Sequence, residues 1–68
     1  MNVELKVYRD DKAQPVAVET VPEPYGPRAD ALSKEHHLGA FFKETVRGEI
    51  LYENGMIFVL PITDQKEN

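Results

Sequence analysis

Asn54-Gly55 divides two apolar runs, and that dipeptide between alternating hydrophobic residues is the strongest short-range signal for a tight β-hairpin. The runs lie in residues 49–62, EILYENGMIFVLPI. A two-residue turn there predicts pairing of Glu53 with Met56, Tyr52 with Ile57, Leu51 with Phe58 and Ile50 with Val59. Alternation then places Leu51, Met56, Phe58 and Leu60 on one face, and Ile50, Tyr52, Ile57 and Val59 on the other. Both faces are apolar. One helix covers one face of a sheet, so the other needs a cover that the chain does not obviously supply. Ile50, Tyr52, Ile57 and Val59 are the expected contact surface, because a large exposed apolar patch marks an interaction site.

The remaining chain reads as elements laid against this hairpin. Val3, Leu5 and Val7 alternate with Glu4, Lys6 and Tyr8, the pattern of a strand with one wet face. The polar residues 10–14 form a loop, and Pro15 opens a second strand over residues 16–21. Pro22, Pro24 and Pro27 then make a stiff crossing segment, since proline cannot donate to a ladder and biases its predecessor toward extended backbone. Its bland role is a rigid connector. Its functional role would be to present Tyr25 and Arg28 to a partner, and both residues join the candidate interface.

Residues 28–47 carry a helical signal. Leu38, Phe41, Phe42, Thr45 and Val46 fall at i, i+3, i+4, i+7 and i+8. Ala31 projects onto the same face, Asp30 suits the helix start, and Gly48 is placed to stop the helix after Arg47. Gly39 is the difficulty, since glycine inside a helix costs about 1 kcal/mol relative to alanine. The expected architecture is α+β: a ββαββ domain over residues 1–62, with an antiparallel sheet of about four strands and one helix on one face. The alternative is ββαβββ, with the helix ending near Gly39 and residues 40–46 forming a strand. Residues 63–68 read as a polar, frayed tail.

A chain of 68 residues without cysteine buries a thin core and has no disulfide staple. That raises the weight of a partner and removes thiolate chemistry. The net charge is −4, and the eight basic residues are scattered among acids. Nucleic-acid binding by phosphate neutralisation is therefore disfavoured. Residues 1–10 are polar at every second position, unlike a signal peptide. The longest apolar run, residues 56–60, is too short for a membrane span. The expected location is the cytoplasm.

No motif fixes a reaction. His36-His37 diverge by about 100° on a helix, whereas helical metal pairs sit at i, i+4, so an exposed pair is the plainer reading. Asp10-Asp11 lacks the alternating oxygens of a calcium loop. Glu44, Glu49 and Glu53 form no evident catalytic pair, and Ser33, the only serine, suits capping. No cofactor, metal or small-molecule ligand is expected, and the chain is not expected to be an enzyme. Phe41, Phe42 and Phe58 fit the core, while Tyr8 beside Lys6 is a faint match to a base-stacking platform. The expected function is a small protein-binding or modulator module, acting as a homodimer or on a larger partner through the exposed face or edge of its sheet. One alternative is a dimeric nucleic-acid-binding or regulatory protein, with Lys6, Arg9, Lys43 or Arg47 converging. Another is a pH-responsive site at a dimer interface around His36 and His37.

Overall fold

The computed structural model describes residues 2–62. The tail assigned to residues 63–68 lies outside them. Five strands and one helix follow in the order β1 (Asn2–Arg9), β2 (Ala17–Pro22), α1 (Gly26–Glu35), β3 (Phe41–Glu44), β4 (Glu49–Tyr52) and β5 (Gly55–Pro61). The strands form one antiparallel sheet in the order β2-β1-β5-β4-β3. The chain is thus α+β, and its layout is the ββαβββ alternative, with five strands rather than four.

The core lies between α1 and one face of this sheet. Val3, Leu5 and Val7 of β1, Ile50 and Tyr52 of β4, and Ile57 and Val59 of β5 are all buried. Pairing puts Leu5 beside Val59, Val7 beside Ile57 and Ile50 beside Ile57, so the β-branched and leucine side chains form one continuous layer. The helix contributes Ala29, Leu32 and Ser33, at i, i+3 and i+4. Leu32 is its one large inward residue, set between the smaller Ala29 and Ser33.

The helix ends at Glu35, twelve residues before the end of the region with helical spacing. Tyr25 precedes its first turn and Pro27 lies within that turn, where proline's missing N–H is unneeded. At the other end His37 (φ 59°) and Gly39 (φ 87°) adopt left-handed backbone, which a helix cannot continue through. Leu38 between them is fully buried. Its carbonyl accepts from the Asn54 N–H at 2.7 Å, and the Ala40 carbonyl accepts from the Glu53 N–H at 3.2 Å. The segment after the helix is therefore held by the β4–β5 turn.

Two expectations for residues 40–48 are corrected by this pairing. Phe41, Phe42 and Val46 do not line a core-facing helix; they are 58, 60 and 104% exposed. Phe41 pairs with Tyr52 and Lys43 with Leu51, with a bulge between them that takes up Phe42. Gly48 does not stop a helix but closes the turn into β4, where its N–H donates to the Thr45 carbonyl at 3.1 Å. The ladder with β4 pairs the inner side of this stretch. The local 3.6-residue spacing carries no such tertiary gain.

The hairpin register also differs. The turn residues are Glu53-Asn54, with Tyr52 opposite Gly55, Leu51 opposite Met56, Ile50 opposite Ile57 and Glu49 opposite Phe58. Gly55 enters the ladder instead of the turn because β1 passes tightly against it. A Cβ at Gly55 would stand 2.1 Å from the Tyr8 carbonyl oxygen. Relative to the expected pairing each residue slides by two positions, and a slide of two keeps every side chain on its face.

Candidate functional site

The sheet has one face under α1 and one face that no element among the described residues covers. On the uncovered face, pairing aligns side chains into rows. Tyr8 of β1, Met56 of β5, Leu51 of β4 and Lys43 of β3 form one row. Val18 of β2, Lys6 of β1, Phe58 of β5 and Glu49 of β4 form the next. Thr20, Glu4 and Leu60 form the third. Tyr8 and Phe58 meet edge-on, their ring centroids 5.3 Å apart at 90°. Tyr8, Leu51, Met56 and Phe58 are half-buried by their neighbours, and Leu60 and Val18 are exposed. The result is a contiguous apolar surface with two lysines and two glutamates set into it.

This location reverses the expected polarity of the hairpin. Ile50, Tyr52, Ile57 and Val59, expected as the contact surface, are 5, 7, 0 and 8% exposed and form the core. The face left open is that of Leu51, Met56, Phe58 and Leu60. Phe58, expected in the core, belongs to this open face. The reason is non-local: Leu5 pairs with Val59 and Lys6 with Phe58, so the polar side of β1 continues into Phe58, Met56 and Leu60.

Tyr25 and Arg28, expected as presented residues, are turned to structural work. The Arg28 guanidinium reaches the Glu19 carboxylate of β2 with two contacts, Nε to Oε1 at 2.6 Å and Nη2 to Oε2 at 2.5 Å. It also lies 3.5 Å from Glu35. Hydrogen bonding to Arg28 holds the Glu19 carboxyl below its ordinary pKa. This fork ties the start of α1 to the edge of the sheet. The Tyr25 hydroxyl donates to the Glu44 carboxylate of β3. Glu23, Pro24, Tyr25, Gly26 and Glu44 line an open groove between the crossing segment and β3.

The hydrogen bond to Glu44 pushes the Tyr25 phenol up to about 12. Because the folded value lies above the ordinary 10.0, the contact stabilises the fold fully below pH 10 and is lost as pH rises through 12. An ultraviolet phenolate titration is expected to show a tyrosine ionising near pH 12, and Tyr25→Phe to remove that step. Persistence of the step in the variant would show that Tyr25 does not carry it.

Two edges frame the sheet, and both are blunted. Edge strand β3 has only four residues and is broken by its bulge, which disrupts a regular row of donors and acceptors. Edge strand β2 ends at Pro22 and follows Pro15, so proline bounds it on both sides. His36 and His37 lie past the helix end on divergent backbone (φ −104° and 59°) and are not brought together with a third ligand. Among the described residues no group of three or more His, Asp or Glu is placed to hold a metal ion. No helix among them is long and apolar enough to cross a membrane. No family model, curated protein or solved structure matches the chain.

Proposed function

We propose that this chain is a small non-enzymatic protein-binding module of the cytoplasm, and that it binds through the helix-free face of its sheet. The observation that carries the reading is the contiguity of Tyr8, Leu51, Met56, Phe58 and Leu60 on a face that no described element covers. Aromatic residues and methionine are the side chains enriched at protein interfaces. The face rather than the edge is the surface of choice, because both edges are blunted. Glu19 and Glu44 are engaged by Arg28 and Tyr25, which favours a structural over a catalytic use of these carboxylates.

A nucleic-acid platform is the competing use of an open sheet face with paired aromatics. Lys6 and Lys43 lie on this face, but Glu4 and Glu49 lie there as well and cancel their charge. Phosphate binding needs an uncompensated positive surface. The balance favours a protein.

A photo-crosslinking amino acid separates these uses. With benzoylphenylalanine in place of Leu60 on the open face, ultraviolet irradiation in the native host is expected to give an adduct of protein mass. In place of Lys34, on the outer side of the helix, it is expected to give none. Phe58→Lys should abolish the Leu60 adduct. Equal labelling from both positions, or an adduct that nuclease removes, would overturn the reading.

A further inference from the structure

Two of the four charges on the open face, Lys6 and Glu49, are arranged antisymmetrically about β5. Phe58 is flanked in register by Lys6 on one side, in β1, and by Glu49 on the other, in β4. In the adjacent row Met56 is flanked by Tyr8 and Leu51, which are apolar on both sides. A two-fold axis lying in the plane of the interface and running along β5 exchanges the β1 side with the β4 side. It sets Lys6 of one copy over the partner's Glu49, and Glu49 over the partner's Lys6. It sets Tyr8 over the partner's Leu51, and it brings Met56, Phe58 and Leu60 against their own counterparts. Such an isologous match of a surface with itself is what a two-fold dimer requires.

We infer that the occupant of the open face is a second copy of this chain, packed sheet on sheet about a two-fold axis along β5, with the Lys6–Glu49 pairs on either side of an apolar spine. The inference rests on the protein-binding reading of this face and names its partner. Aligned stacking of two twisted sheets about 10 Å apart is a standard way for antiparallel sheets to close a core. The area agrees. Five strands about 4.8 Å apart and about 20 Å long give about 500 Å2 per copy, or about 1,000 Å2 in total, the lower bound for a specific interface. A dimer of this size falls in the small, transient class of interfaces. The charge balance helps further. Each chain carries −4, but the two lysines and two glutamates of this face balance and the axis pairs Lys6 with Glu49, so the net repulsion is not concentrated at the contact.

Sedimentation velocity across micromolar to millimolar concentration tests the inference with the intact chain. The wild type is expected to shift from monomer to dimer. Lys6→Glu sets two glutamates against each other and should weaken association by about tenfold or more. Glu49→Lys should do the same with two lysines. The double variant Lys6→Glu/Glu49→Lys restores opposite pairs and should recover the wild-type dissociation constant. Circular dichroism melts accompany each variant, and the restoring double variant guards against simple loss of fold. A wild type that stays monomeric to millimolar concentration would overturn the second copy as occupant. So would a dimer that ignores both single charge reversals, since it would then use another surface. The Leu60 crosslink reports separately. A protein adduct of larger or smaller mass than a second copy would remove the self-pairing while leaving the binding face in place.

Discussion

Ile57→Lys is expected to abolish the cooperative melting transition, whereas Phe58→Lys keeps it. The two residues are neighbours on one strand and differ only in the face they serve. Ile57 is fully buried, opposite both Val7 and Ile50 at the centre of the sheet. Removing its branched side chain alone costs about 2–5 kcal/mol, and an ammonium without a partner in that position adds its desolvation. A chain of this size is stable by roughly 3–10 kcal/mol in all, so the fold does not survive. Phe58 lies on the open face with its ring edge against Tyr8. Losing that contact costs about 1 kcal/mol, and a lysine there reaches water along the sheet. Far-UV circular dichroism against temperature reads both variants. If the two variants melt alike, the assignment of faces is wrong, and with it the binding surface.

Why the polarity of the hairpin is hard to read locally follows from the same pair of residues. The alternation within residues 49–60 sorts the side chains into the correct two sets, and the two-position slide in register preserves that sorting. Which set faces the helix depends on the parity of pairing between β1 and β5. That parity joins residues more than fifty positions apart, Leu5 with Val59. No local pattern states it. A hint is present in composition. The buried set is rich in β-branched residues, as is the buried face of β1, while the open set holds Leu51, Met56, Phe58 and Leu60. The core side of β1 was legible because its opposite face carries Glu4 and Lys6, and no such contrast exists within the hairpin.

The helix boundary shows the opposite case, a local signal that tertiary pairing overrides. Leu38, Phe41, Phe42, Thr45 and Val46 fit a helical stripe, yet only Leu38 of these enters the core. Gly39 carries the decisive information, and its cost inside a helix points to the break. What cannot be read there is the gain on the other side, the ladder with Leu51 and Tyr52 that recruits β3. The stiff segment before Tyr25 and Arg28 is legible, but not that both residues are bonded back to the sheet. Their partners, Glu44 and Glu19, are set by where that segment crosses the sheet. The self-complementary row on the open face is beyond local reading for the same reason, because Lys6 and Glu49 come to flank Phe58 only once three strands are in register.

Gly55→Ala is expected to unfold the chain or to lower its melting temperature by many degrees, although alanine is ordinarily the mildest of changes. Gly55 lies in β5 opposite Arg9 of β1 and Tyr52 of β4, at the end of both central ladders. An added Cβ would stand 2.1 Å from the Tyr8 carbonyl oxygen and 2.8 Å from a Leu38 methyl. The first obstacle is backbone, held by the β1–β5 pairing, and cannot swing aside as a side chain can. Relief requires the two central strands to part where Asp10 N–H donates to the Asn54 carbonyl at 2.9 Å and where Leu38 plugs the core. Overpacking of this kind costs about 1–3 kcal/mol when side chains can yield, and more when backbone must move. Against a total of roughly 3–10 kcal/mol, that is a large share of the stability. The contrast with the turn is informative. Asn54→Gly changes the residue beside it within the loop, and a cost below about 1 kcal/mol is expected there, since Asn54 is bonded through its backbone N–H and carbonyl. Urea denaturation of the two variants separates a glycine kept for turn geometry from one kept for strand approach. A Gly55→Ala chain as stable as the wild type would mean that β1 does not pass against the hairpin turn, and that the central register is different.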